Sequence, residues 1–111
     1  MKTMTLRDGC AYPGYSVSVR IEAGETETIH IPAPPIGRDV VVRVWPDEGQ
    51  TMTVQDSVSP DADIRAGAGR WLPVQADGVV DGVASNPVQW AYVCPVSGIQ
   101  AAGPGTLEVM T

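Results

Sequence analysis

Between Trp71 and Met110 apolar side chains alternate with polar ones, and every few residues the run is broken by Gly or by Asn86-Pro87. A period of two places successive side chains on opposite faces of an extended chain, whereas a helix needs apolar residues three and four apart. The runs fall at residues 71–75, 79–83, 88–93, 98–100 and 106–109. Asp77-Gly78 reads as a two-residue hairpin turn and Gly103-Pro104-Gly105 as a later corner. With 12 Gly and 10 Pro in 111 residues, every window long enough for a helix holds a breaker or a period-two pattern. No helix is predicted.

The first half continues the rhythm. Residues 16–22 form a one-sided strand, with Val17, Val19 and Ile21 on one face and Ser16, Ser18, Arg20 and Glu22 on the other. Residues 26–31 form another, with Ile29 and Ile31 inward and His30 outward. Pro32, Pro34 and Pro35 then remove three ladder donors, so residues 32–37 are a loop or an edge crossover, partly polyproline-like. Val40, Val41, Val42, Val44 and Trp45 make a near-continuous apolar run broken by Arg43. Such a run is covered on both faces or packs one face on a partner subunit. A turn at 46–49 would make a hairpin with residues 50–55, where Met52 and Val54 point inward. Residues 56–69 are polar and aperiodic, and read as a long crossover between two sheets with a short strand at 63–65. Residues 1–15 read as a partly irregular arm with a short strand at 3–6. The total is about eight or nine strands at regular turn spacing, which favours a single antiparallel β-sandwich over residues 1–111, jelly-roll-like or immunoglobulin-like. Aromatic residues are scarce and Phe is absent, so the core is built from Val, Ile, Leu, Met and Ala.

Net charge is −6 and the pI about 4.4. The seven basic residues, Lys2, Arg7, Arg20, Arg38, Arg43, Arg65 and Arg70, are scattered along the chain. Phosphate binding needs several coordinated cations, so neither nucleic acid nor an anionic membrane is an expected partner. No run approaches the roughly 20 apolar residues of a membrane span. Cys10 and Cys94 could pair as one clasp or both be free. The free reading is preferred because residues 1–6 lack the apolar run of a signal peptide, which points to a reducing cytoplasm.

No residue pattern carries catalysis. His30 has no Ser or Cys motif beside it, and Cys94 before Pro95 reads as a buried thiol. Asp56, Asp61 and Asp63 lack the Gly and distant Glu of a calcium loop and read as a solvated loop. Two Cys and one His fall short of a zinc ligand set. Gly67 and Gly69 lack the lysine of a phosphate loop. Among 13 acids no glycosidase pair can be singled out. The expectation is a non-enzymatic protein without cofactor or metal. Trp45, Trp71 and Trp90 could form a sugar platform. Trp90 shares its face with Val88 and Tyr92 and reads as core, while Trp45 and Trp71, near strand ends, read as core or subunit interface.

Gly-Arg-Trp-Leu-Pro-Val at 69–74, Asp-Gly-Val at 77–79, Pro-Val-Ser-Gly-Ile at 95–99 and Thr-Leu-Glu-Val at 106–109 resemble the small β-sandwich structural proteins of tailed bacteriophages, capsid decoration or cement proteins among them. The resemblance covers mainly residues 69–111. It implies a virion component made in the host cytoplasm and seated on the capsid surface, bound to a major capsid protein or another virion protein. It also implies a homo-oligomer, a trimer before other states. The expected contact residues are Pro34, Pro35 and Ile36 of the proline loop, Val41, Arg43 and Trp45 of the apolar strand, and Trp71. The alternative function is a carbohydrate- or ligand-binding sandwich module.

Overall fold

The computed structural model describes residues 2–5, 16–31, 39–93 and 96–110. In chain order its elements are β1 (Lys2–Thr5), β2 (Ser16–Ile21), β3 (Thr26–His30), β4 (Val40–Pro46), β5 (Met52–Ser57), α1 (Asp61–Arg65), β6 (Leu72–Pro73), β7 (Val79–Val80), β8 (Val83–Ala84), β9 (Val88–Tyr92), β10 (Gly98–Ala102) and β11 (Gly105–Met110). A four-stranded sheet runs β2-β11-β4-β9, and a seven-stranded sheet runs β1-β3-β10-β5-β8-β7 with β6 also paired to β5. Pairing is antiparallel throughout, except that β1 lies parallel to β3.

The strand order distinguishes the two expected sandwiches. Successive long strands change sheet: β2 to β3, β4 to β5, β9 to β10 and β10 to β11. Setting β1 aside, the sheets reduce to β2-β11-β4-β9 facing β3-β10-β5-β8, the interleaved order of a jelly roll, and the immunoglobulin-like alternative is set aside. The same order corrects the hairpin expected at 40–55. The turn at Asp47–Gln50 (Gln50 N–H to Asp47 C=O, 2.9 Å) carries the chain between sheets, because β4 already has β11 and β9 on its two edges. Both halves of that expected pair still point Val42, Val44, Met52 and Val54 inward.

The core lies between the sheets and is aliphatic, as the composition requires. Ile21, Ile29, Val40, Val42, Val44, Met52, Val54, Ile99, Leu107 and Val109 are fully buried, and Val17, Val19, Val88, Trp90 and Tyr92 pack on its margin. The tie between the sheets at one margin is polar: Tyr92 Oη donates to Asp56 Oδ2 at 2.7 Å.

Residues 56–73 depart most from expectation. They do not cross between sheets; they leave β5 and return to it, where Gln55 pairs with Pro73 and Asp56 with Leu72. The strand expected at 63–65 is the helical turn α1. Pro60 begins it, Asp61 and Asp63 sit in its first turn, and Arg65 sits in its last. Gly67 at φ 75° ends it, with Gly67 N–H to Ile64 C=O and Ala68 N–H to Asp63 C=O, the paired closure of a left-handed helix cap. Only Ile64 of this turn is buried, so no apolar period announces it. The turn also corrects the reading of His30. Alternation does aim His30 away from the core, but α1 covers that face; the residue is 2% exposed, with Nε2 3.1 Å from Asp61 Oδ1. Residues 79–83 are likewise two strands, β7 and β8, joined by Asp81 (φ 50°) and Gly82 (φ 78°). Two successive positive φ values match the twist of a tight hairpin.

Three crossovers meet at one end of the sandwich. Gly103 N–H bonds Glu25 C=O at 3.1 Å and Asp47 N–H bonds Pro104 C=O at 3.2 Å. Arg20 adds a bidentate pair to Asp47, with both N–O distances at 2.6 Å. The Arg20 guanidinium holds the Asp47 carboxyl below its ordinary value of 3.8. A pKa lower in the folded than in the unfolded chain gives stability that is present above the unfolded value and lost as pH falls through the folded one. Both groups are solvent-exposed, so the contribution is small and screened by salt. Asp47→Asn is therefore expected to lower Tm slightly at neutral pH, by an amount that shrinks as the pH falls below 3.8. Melts of the two proteins across that range check it.

Candidate functional site

Antiparallel partners directly opposite one another share a face, so the register of the four-stranded sheet maps its outer surface row by row. One row is Ser16, Met110, Val41 and Ala91. The next is Ser18, Glu108, Arg43 and Gln89. The third is Arg20, Thr106 and Trp45, with Pro87 just beyond the end of β9. No described element lies on this face, and Trp45 is 46% exposed on it.

The local chemistry fixes the side chains without covering them. Arg43 Nε donates to Gln89 Oε1 at 2.6 Å. Trp45 Nε1 donates to Glu108 Oε1. A planar guanidinium and an indole are thereby tied to side chains of the neighbouring strands. Beside them an open groove of about 410 Å³ is lined by Arg43, Trp45, Pro87, Val88 and Gln89. The strand explains this arrangement. β4 is central in its sheet, so Val40, Val42 and Val44 enter the core, and the same alternation turns Val41, Arg43 and Trp45 outward.

The structure therefore brings Val41, Arg43 and Trp45 into one column on one face. Trp71 stands elsewhere, beside the other sheet. A Cβ built on Gly98 would lie 2.9 Å from Trp71 Cη2 and 3.4 Å from Ile64 Cγ2, so the half-buried indole roofs β10 together with α1. Trp90 points to the inner face of β9, in the Val42 row. The three tryptophans occupy three separate environments and make no common platform. Pro34, Pro35, Ile36, Cys10 and Cys94 lie outside the described residues.

Three residues that sequence reasoning passed over belong to the site: Gln89, Glu108 and Pro87. Each looks like ordinary strand or turn chemistry alone. Only the pairing of β4 with β9 and β11 sets them beside Arg43 and Trp45.

Among the described residues no group of three or more His, Cys, Asp or Glu could hold a metal ion, and no helix is long and apolar enough to cross a membrane. No family model, curated protein or solved structure matches the chain.

Proposed function

We propose that this chain is a non-enzymatic binding protein whose working surface is the outer face of the β2-β11-β4-β9 sheet, and that its partner is a shell-forming virion protein such as a phage major capsid protein. The observation that carries the first part is the column Val41, Arg43, Trp45 on a sheet face that no described element covers. Interface centres are enriched in Trp and Arg and rimmed by polar groups. Ser16, Ser18, Gln89 and Glu108 supply that rim. The choice of a virion partner rests on the sequence resemblance over residues 69–111, and a jelly-roll sandwich is compatible with it. Fold alone does not decide function. The purified protein is expected to co-sediment with shells assembled from such a capsid protein. Recovery of the whole sample in the supernatant would overturn the virion reading.

The groove favours a second reading, carbohydrate binding. An indole face beside a guanidinium and a carboxamide, within an open cleft of about 410 Å³, offers both stacking and hydrogen bonds to a sugar ring. Glycan-array binding that Trp45→Ala abolishes would establish it. A blank array beside intact shell binding is the expected outcome.

A further inference from the structure

We propose that the groove beside Arg43 is a carboxylate site, filled by an acidic side chain of the protein that docks on this sheet face. The inference rests on the reading of that face as the working surface and names the chemistry of what it takes. The register sets Arg43 of β4 between Glu108 of β11 and Gln89 of β9. An ion pair with Glu108, directly opposite, would be the ordinary cross-strand arrangement, and it is not made. Glu108 Oε1 accepts the Trp45 indole N–H, and Arg43 Nε donates to the neutral Gln89 Oε1 at 2.6 Å. Among the described residues no carboxylate lies within ion-pair distance of Arg43, and neither of its Nη groups has a hydrogen-bond partner. The side chain is nevertheless half-buried. A partly desolvated guanidinium with one neutral partner is incompletely compensated, and its free Nη edge matches a carboxylate in the bidentate geometry.

The groove decides the rest. Its lining is Arg43, Trp45, Pro87, Val88 and Gln89, so it lies on the β9 side of Arg43, while Glu108 stands on the β11 side and is not part of the lining. Arg43 is the single cation of that lining. One guanidinium suits one carboxylate, whereas polyanionic phosphate ligands are held by several cations. The groove is also open, beside an indole 46% exposed. Small-molecule pockets enclose most of their ligand, which this groove does not do alone. A side chain standing on a protein surface brings its own cover, and the water it expels strengthens the ion pair. In a chain of net charge −6 an uncompensated cation also fixes where an acidic group can approach, because the rest of the surface repels it on balance.

The test is an NMR titration of the full chain with phenylacetate, a carboxylate carried on a flat apolar ring, and with phenylacetamide, its uncharged counterpart. Phenylacetate is expected to shift the Trp45 indole N–H, the Gln89 carboxamide and the Arg43 Nε–H signals saturably, with a Kd on the order of 10 mM. Phenylacetamide is expected to bind about tenfold more weakly, and Arg43→Gln to abolish the preference for the acid. On the assembled shells, Arg43→Gln is expected to weaken binding about tenfold at low salt and less at high salt. Equal affinity for the two probes, or an acid preference that survives in Arg43→Gln, would overturn the carboxylate site. Should Arg43→Gln fail to fold, the comparison of the two probes on the wild type decides alone. The two readings fail separately. Shells that bind a chain with no acid preference would overturn this inference and leave the sheet face as the docking surface. An acid preference in a chain that ignores shells would support the carboxylate site and overturn the choice of a shell protein.

Discussion

Leu107→Ala is expected to lower unfolding stability by about 3 kcal/mol, a fall in Tm on the order of 15 °C for a domain of this size. Leu107 is fully buried. It sits in β11 between Val19 of β2 and Val44 of β4, so neighbours on both flanks are held by ladder hydrogen bonds and cannot collapse into the vacated space. The loss is the transfer free energy of the missing atoms plus the cavity left behind. Leu72→Ala is the control. Leu72 is 69% exposed, and its truncation should stay within about 0.5 kcal/mol. Urea titrations should show a lower midpoint for Leu107→Ala at an unchanged slope. Equal midpoints for the two variants would contradict the placement of the core.

The second large effect is expected where the crossovers meet. Gly103→Ala would set its methyl against the carbonyl oxygens of Ile21 and Glu22, and Gly105→Ala would set one 2.5 Å from the Trp45 carbonyl oxygen. The Gly105 methyl would also meet Met52 Sδ, which can rotate aside, but the carbonyl oxygens belong to backbone at the ends of β2 and β4, so relief requires moving a strand end. Each substitution is expected to cost about 3 kcal/mol, the upper part of the range for overpacked sites. Gly49→Ala separates space from strain. Gly49 has φ 74° with nothing within 4 Å of an added Cβ, so only the left-handed backbone penalty of about 1 kcal/mol remains. Thermal melts of the three variants should rank Gly49→Ala well above the other two. Equal losses would mean that the close backbone approach at Gly103 and Gly105 is not what demands glycine there.

The β architecture was legible in the sequence because each long strand carries its own period-two record. Val17, Val19 and Ile21 faced the core as read, and so did Met52 and Val54. Partnership was not legible. The Pro46–Gly49 turn looks the same whether it closes a hairpin or crosses between sheets, and only β11, far along the chain, occupies the edge that a hairpin would have used. α1 was hidden for a different reason. A turn that buries one side chain leaves no period, and its signals are punctuation alone: Pro60, two acids at its start and Gly67 at its end. His30 followed, since alternation predicts the face of a strand but not what lies on that face. At the site, Val41, Arg43 and Trp45 share a strand and so could be grouped from sequence, whereas Gln89 and Glu108 reach them only through inter-strand register.

The most direct measurement is the equilibrium affinity for the proposed shell protein of two variants that alter opposite sides of the sandwich. Trp45→Ala removes the exposed indole of the β4 column, and Val80→Ser alters the other sheet, where Val80 is 71% exposed. If the outer face of the β2-β11-β4-β9 sheet is the binding surface, Trp45→Ala should weaken binding by about 2 kcal/mol, roughly thirty-fold, with its melting temperature little changed. Val80→Ser should bind as wild type does. The opposite pattern, with binding intact in Trp45→Ala and lost in Val80→Ser, would contradict the assignment of that face.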